Sequence, residues 1–373
     1  MPISDARRAA GPTLEDVARV AGVSRATVSR VVNGSTSVSA EVQRAVLQAV
    51  AEVGYVPNQA ARQLITGRSG VIALVMSITA EPGAEAKTSA DAGSDADTAA
   101  ADSKADSGAE PRDRVFADPF FGRIVAGVLG FLRPRGVYPL LMLAEDEASR
   151  RQVLDHLRRG GADGALAVSI DPADPLPGQL TEAGLRAVYF ARPERPVPAD
   201  YVDLAHQDGG RLAAERLLDQ GRRSVAAIAG PLELHAGRAR IDGFCETMAR
   251  NGSAYVPVAV GNFTQESGER AMRELLERDP GLDGVFASND LMALGAVHVL
   301  HQSGRRVPED VAVIGFDDSS AAVASRPRLT TVRQPVEAMA ARMAQLLLER
   351  LDEPGLPPRA VIFDPQLVVR DSG

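Results

Sequence analysis

Between Ala21 and Gly34 the chain reads A-G-V-S-R-A-T-V-S-R-V-V-N-G. On a helix capped by Ser24, the side chains of Val28, Val31 and Val32 share one side, while Arg25, Ala26, Ser29, Arg30 and Asn33 lie on the other. Guanidinium, hydroxyl and carboxamide groups along one exposed helical face are the donors and acceptors with which proteins bond phosphates and base edges. An ordinary helical bundle with solvated arginines has the same pattern, and composition alone leaves both readings open.

The flanking residues supply the elements that would position this face. Thr13 reads as a helix N-cap with Asp16 in the capping-box position, and Leu14, Val17 and Ala18 share one side. Gly22 provides a tight turn. A third helix is expected from Ser39, with Val42, Val46, Ala49, Val50 and Val53 as its apolar stripe and Gly54 as its stop. Three short helices with a glycine turn between the first two have the pattern of a helix-turn-helix. Charge supports a nucleic-acid partner. Net charge is −8, yet residues 1–70 hold eight Arg against five acidic residues, a surplus of three positive charges, leaving −11 for the remainder.

A chain of 373 residues exceeds one ordinary core, so two or three domains are expected. No apolar run has the ~18 residues that a membrane crossing needs. Residues 1–12 lack the apolar centre of a secretion signal and read as a flexible arm. Cys245 is the only cysteine, which excludes an intrachain disulfide and reads as a small buried hydrophobe. These features predict a cytoplasmic protein without membrane contact. The five His show no metal-ligand spacing, and no cofactor is expected.

Val71–Ser77 is a continuous apolar strand of the kind buried on both faces of a parallel sheet. Residues 80–110 then hold eleven Ala and eight acidic residues, with no aromatic, Val, Ile, Leu or Met. Such a segment cannot bury a core, so residues 80–112 are expected to form a disordered acidic insertion. Beyond it, helical and strand patterns alternate to the C-terminus, which predicts an α/β architecture with doubly wound parallel sheets in two lobes.

The motif A-G-V-S-x-x-T-V-S-R-V-V-N-G, followed by P-N-Q-A-A-R-Q-L from Pro57 to Leu64, closely resembles the LacI/GalR family of bacterial repressors. The resemblance covers residues 13–371 apart from the insertion. It implies a headpiece over 13–56, a hinge helix and linker over 57–70, and a periplasmic-binding-protein-like sensor over 71–373. Lobe 1 would span about 71–204 and 333–357, and lobe 2 about 205–332 and 358–373. It further implies that Arg25, Ala26 and Arg30 read base edges, while Thr13, Ser24, Thr27, Ser29 and Asn33 bond phosphates. Asn58, Ala61 and Leu64 would belong to a hinge helix in the minor groove, with Leu64 as the wedge that bends DNA.

The same resemblance implies an effector site from Phe120, Phe121, Arg192, Arg240, Phe263, Asn289 and Asp317, at strand ends or helix starts where open α/β sheets bind ligands. Arginine, carboxylate and aromatic groups together suit a sugar or sugar derivative. The chain departs from the family where Ala191-Arg192 replaces Asp-Arg, which loses a carboxylate and leaves room for a phosphorylated or acidic effector. His206 replaces a more usual Asp and reads as structural. The expected function is a sequence-specific transcriptional regulator, a repressor, acting as a homodimer on a pseudo-palindromic operator under effector control. The rivals are a cytoplasmic solute-binding protein and an α/β enzyme, although no dinucleotide, Walker or nucleophile-elbow motif is present.

Overall fold

Capping chemistry sets the first three helices in the computed structural model, which describes residues 12–32, 38–55, 67–77, 118–169 and 173–373. Expectations for the N-terminal arm, Asn33, the hinge residues Asn58, Ala61 and Leu64, and the acidic insertion lie outside the described residues. The chain divides into two units, residues 1–70 and 71–373.

In the first unit, α1 (Leu14–Ala21) opens with a reciprocal capping box between Thr13 and Asp16 and ends on Gly22 at φ +66°. There the left-handed turn demands glycine. Helix α2 (Arg25–Val32) starts after Ser24, whose Oγ accepts from the Thr27 amide at 3.1 Å. Helix α3 (Ala40–Val53) begins with Ser39 capping Val42 and ends on Gly54 at φ +67°. Val17, Val28, Val31, Val46 and Ala49 form the small core. Each helix alone is too short to hold in water, so this shared core must stabilise all three.

The second unit starts with β1 (Val71–Ser77), α4 (Pro119–Leu132), β2 (Tyr138–Ala144), α5 (Glu147–Arg158), β3 (Ala165–Ser169), α6 (Leu176–Glu182), β4 (Ala187–Phe190) and β5 (Asp200–Leu204). Next come α7 (His206–Asp219), β6 (Val225–Ala229), α8 (His235–Arg250), β7 (Val258–Val260), α9 (Gln265–Arg278), β8 (Gly284–Ala287), α10 (Asp290–Gln302), β9 (Ala312–Asp317), α11 (Ser320–Ala324) and β10 (Thr330–Arg333). It finishes with α12 (Val336–Asp352), β11 (Ala360–Phe363) and β12 (Gln366–Val368).

Two six-stranded sheets result, in the orders β11-β5-β4-β3-β1-β2 and β12-β10-β9-β8-β6-β7. Every pairing is parallel except β10 with β12. The inner strands β1, β3, β4, β6, β8 and β9 are buried on both faces. Ile72, Leu74 and Met76 of β1 join one core with Ile124, Val128 and Met343, while Ala73 and Val75 join another with Val153, Leu157 and Leu180. Each such large side chain contributes ~1.5–3 kcal/mol when removed from water.

The chain passes between the sheets at Leu204–His206, Arg333–Val336 and Phe363–Gln366. The last passage corrects the expected position near 358. Ala360–Phe363 pairs in parallel with Tyr201–Leu204, so this strand completes the first lobe before the chain leaves it. The fully buried Asp200 secures that edge: it accepts from Arg350 Nε at 2.6 Å and from the Arg359 amide at 2.7 Å.

In the second lobe, α7 and α8 approach closely through two glycines. A Cβ on Gly210 would stand 1.9 Å from the Arg240 carbonyl oxygen, and one on Gly243 would stand 1.9 Å from that of Gln207. Rigid backbone cannot yield at that distance. Gly243→Ala is therefore expected to cost about 3 kcal/mol in urea denaturation of the full chain; an unchanged midpoint would refute this account of the contact.

Candidate functional site

On the headpiece, α2 buries Val28 and Val31 and leaves Arg25, Ala26 and Arg30 exposed. Ser24 and Thr27 share a hydroxyl hydrogen bond of 2.9 Å at the head of the helix. Arg25 Nε lies 3.0 Å from Glu15 Oε1 on α1, with the two side chains 68% and 61% exposed. A pair so exposed is worth less than ~1 kcal/mol and can be exchanged for a stronger partner. The Thr13 hydroxyl donates to Asp16 Oδ2 at 2.8 Å. Hydrogen bonds from the Thr13 amide and hydroxyl, followed by Arg19, hold the Asp16 carboxyl below its ordinary range. Thr13 thus caps α1 and stays exposed, and Ser29 is half-buried.

The sensor's polar centre is Arg240 on α8, which is 5% exposed. Its Nη1 donates to the Ser288 carbonyl at 2.5 Å and lies 3.5 Å from Asp317 Oδ1. Its Nη2 donates to Gln334 Oε1 at 3.1 Å, and its Nε to His206 Nδ1 at 3.2 Å. The guanidinium carbon sits 3.7 Å from the Phe316 ring centre and 6.0 Å from that of Phe263. Burial lowers the Arg240 pKa, opposed by Asp317, Asp203 and Asp290.

His206 links this arginine to the first lobe. Burial, and then the Arg240 charge, pull its pKa down to about 4, so the ring is neutral at pH 7. Because Nδ1 accepts from Arg240, the proton sits on Nε2, which faces Asp203 Oδ1 at 3.2 Å. Burial raises the Asp203 pKa, but His206 and the amides of Leu204 and Arg192 together outweigh it and hold the carboxyl low.

Asp317 ends β9 in an unusual conformation. Its φ is +106°, and Asp318 follows at +53°. The surroundings over-determine this strain. Arg123 on α4 donates from Nη1 to the Asp317 carbonyl at 2.8 Å, from Nη2 to the Gln334 carbonyl at 3.0 Å, and grips Glu337 at 2.7 Å. Asp318 bonds Arg333 at 2.7 Å and also Arg370. Asp290 accepts from the Ser319 amide at 2.7 Å and the Thr331 hydroxyl at 2.6 Å.

Phe263 is similarly strained, at φ +68°. Its carbonyl accepts from Asn289 Nδ2 at 2.9 Å, while Asn289 Oδ1 caps α10 through the Met292 amide at 2.9 Å. Its ring covers Gly230, where a Cβ would stand 2.3 Å away. From the first lobe, Phe120 meets Phe121 and Phe190 edge to face at 5.4 and 5.5 Å. Phe121 is buried in the core. The Arg192 amide donates to Asp203 Oδ2 at 3.2 Å, and its side chain is exposed.

The structure thus brings Arg240, Asp317, Phe263 and Asn289 together. It adds His206, Gln334, Arg123, Asp203 and Phe316, which the sequence reading did not place in the site; the oddity of His206 was the one visible signal. Among the described residues no group of His, Cys, Asp and Glu could hold a metal ion, and no helix is long and apolar enough to cross a membrane.

Burial, tempered by Arg240 and sharpened by Asp290, raises the Asp317 pKa from 3.8 to about 8. The carboxyl remains 15% exposed, so cleft water moderates the rise. A raised folded-state value gives stability that is fully present below the unfolded pKa and lost as pH climbs through the folded one. Asp317→Asn should therefore flatten the fall in melting temperature between about pH 4 and pH 8. Parallel wild-type and variant profiles would contradict this environment for Asp317.

Known proteins resemble this chain along its length. The family model described as bacterial regulatory proteins, lacI family, matches residues 13–58, and the periplasmic binding protein-like domain matches residues 214–373. The transcriptional regulator CelR of Thermobifida fusca is 42% identical, covering 98% of this chain and 99% of its own. The ribose operon repressor of Halalkalibacterium halodurans is 30% identical over 90% of this chain and 89% of its own. Among solved structures, a CelR–cellobiose complex superposes with a TM-score of 0.70 at 40% identity, covering 97% of this chain and 100% of that one. The lac repressor dimer bound to operator and the anti-inducer ONPF gives a TM-score of 0.72 at 25% identity, covering 97% and 99%. Similarity along the whole length, a helix-turn-helix headpiece and a two-sheet sensor together establish that the chain belongs to the LacI family, as a sequence-specific DNA-binding transcriptional regulator under small-molecule control.

Proposed function

We propose that the chain is a repressor whose effector is a β-linked glucose oligosaccharide of the cellobiose type. The observation that carries this reading is the buried Arg240 beside Asp317 and Phe263: a donor fork, an acceptor and an apolar platform, as vicinal hydroxyls on a sugar ring require. The complex of the similar CelR with cellobiose supports the sugar class. Arg240 and Asp317 bind hydroxyls, Phe263 and Phe120 flank the ring, Asn289 holds the Phe263 loop, and Phe121 backs Phe120. Arg192 lies at the rim. No catalytic role and no cofactor is assigned to any of these groups.

On the DNA side, Arg25, Ala26 and Arg30 read base edges in the major groove, and Thr13, Ser24, Thr27, Ser29 and Asn33 fix register on phosphates. Asn58, Ala61 and Leu64 act in the minor groove, a role carried by the family motif alone. The operator is pseudo-palindromic and the regulator a homodimer. Supporting the dimer, the edge strand β2 and adjoining α4 expose Tyr138, Leu140, Leu141 and Leu129, and near the matching edge of the other sheet Tyr255 and Val260 are exposed. A regulator that reads chromosomal DNA works in the bacterial cytoplasm. Effector occupancy alters the angle between lobes and thereby the spacing of the two hinges, with a coupling of about 1–3 kcal/mol.

Gel shifts on a selected operator, with and without cellobiose, test this. Cellobiose should change wild-type affinity by about 5–150-fold, and Arg240→Ala should bind operator normally but ignore the sugar. Wild-type indifference to cellobiose would refute the effector assignment. Separately, Arg25→Ala should relax selectivity at one base pair per half-site, at a cost of about 1–3 kcal/mol; a uniform loss across sequences would make it a phosphate contact.

A further inference from the structure

Arg123 joins the two lobes while leaving almost no donor free for a ligand. Its side chain is 18% exposed, against 50% for its partner Glu337. Nε and Nη2 form a fork on the Glu337 carboxylate at 2.7 and 2.8 Å. Nη2 also donates to the Gln334 carbonyl at 3.0 Å, and Nη1 to the Asp317 carbonyl at 2.8 Å. Four of the five N–H groups of the guanidinium are thereby used. A planar fork so committed holds parts of the protein together and has little left with which to bind a small molecule.

The two ends of this bridge differ in stiffness. In the first lobe α4 and α12 are locked together. A Cβ on Gly127, one turn beyond Arg123, would stand 2.3 Å from the Glu337 carbonyl oxygen and 2.8 Å from Ala340 Cβ. Helices that approach so closely cannot slide independently. At the other end, Asp317 closes β9 of the second lobe, and Gln334 lies in the second passage between lobes. The Gln334 amide donates to the Asp317 carbonyl at 3.4 Å, so Arg123 grips both segments where they meet. The Gln334 side chain accepts from Arg240 Nη2 at 3.1 Å. One residue of the passage is thus held through its backbone by Arg123 and through its side chain by Arg240.

We propose that Arg123 is a positioning residue that converts effector occupancy into lobe movement, with Gln334 as its relay, while making no contact with the effector. The proposal rests on the reading of Arg240 as an effector ligand and adds the route by which that contact leaves the site. Coupling needs a physical element whose two arrangements are biased from both ends. Gln334 is such an element. An effector that takes donors from Arg240 releases the Gln334 carboxamide and shifts the passage. With Arg123 in place, that shift pulls on the locked α4–α12 pair, and the first lobe turns as a body. Without Arg123, the passage absorbs the shift alone.

Two measurements on the full-length protein test this, using wild type, Arg123→Met and Glu337→Gln. Methionine keeps an apolar stem without the donors. Glutamine at the half-exposed position 337 removes the charge of the anchor at little risk to folding. The first measurement pairs calorimetry with cellobiose and operator gel shifts with and without it. In Arg123→Met the cellobiose Kd should stay within about threefold of wild type, while the operator response falls from about 5–150-fold to about twofold or less. Glu337→Gln should lie between, again at unchanged sugar affinity, and carries the comparison alone if Arg123→Met does not fold. A full operator response in the variants would overturn the proposal. So would a cellobiose affinity lost in step with the response, which would make Arg123 part of the ligand site. The second measurement needs no sugar. Amide hydrogen exchange over residues 317–335 should quicken about tenfold in Arg123→Met and less in Glu337→Gln, with β6 and β8 unchanged. Unchanged exchange over 317–335 would show that the bridge holds nothing. If wild type ignores cellobiose, the glucoside reading fails, and exchange alone then decides the bridge.

Discussion

A buried guanidinium is the constraint to which the sensor is fitted. Removing a charge from water carries a penalty of several kcal/mol unless its donors are met. Arg240 meets that demand with groups from four separate places: His206 after the first passage between lobes, Ser288 at the end of β8, Asp317 at the end of β9, and Gln334 in the second passage. Phe316 closes the face beneath it. Two passages between lobes are thereby tied to one side chain. An effector bound to Arg240, as proposed above, would exchange partners within this set and so act on the segments that join the lobes.

Backbone strain falls around the same polar centre. Among the described residues, Ala191, Phe263, Asp317 and Asp318 are the non-glycine residues with positive φ. All four lie around the cleft, each at or shortly beyond the C-terminal end of a strand. A conformation of this kind costs ~1–3 kcal/mol per residue and persists only where neighbours hold it. Here the holders are specific: Asn289 for Phe263, the Val202 carbonyl for Ala191, Arg123 for Asp317, and Arg333 with Arg370 for Asp318. The strain aims side chains and carbonyls into the cleft that relaxed strand ends would direct elsewhere.

Local signals made much of this legible in the sequence. Caps at Thr13, Ser24 and Ser39 and stops at Gly22 and Gly54 delimit the headpiece helices, and apolar runs mark β1, β3, β4, β6, β8 and β9. The short strands β5, β7, β10, β11 and β12 left no comparable trace. In β5, Asp200 and Asp203 are buried because Arg350 and His206 meet them, and the first partner is 150 residues away. The site divides on the same principle. Arg240 and Asp317 stand in recognisable motifs, whereas the parts played by Gln334 and Arg123 depend on contacts across 94 and 194 residues that no local pattern encodes.

Arg123 holds Asp317 by its carbonyl oxygen, not by its carboxylate. Every amino acid has that carbonyl. The mechanical link from the first lobe to the end of β9 is thus independent of the chemistry displayed at position 317, limited only by the positive φ, which favours Asp, Asn or Gly there. On the effector site proposed above, ligand preference and the transmission of ligand binding would be carried by different atoms of one residue. Such an arrangement lets a lineage of regulators change the molecule it answers to while keeping the machinery that reports the answer.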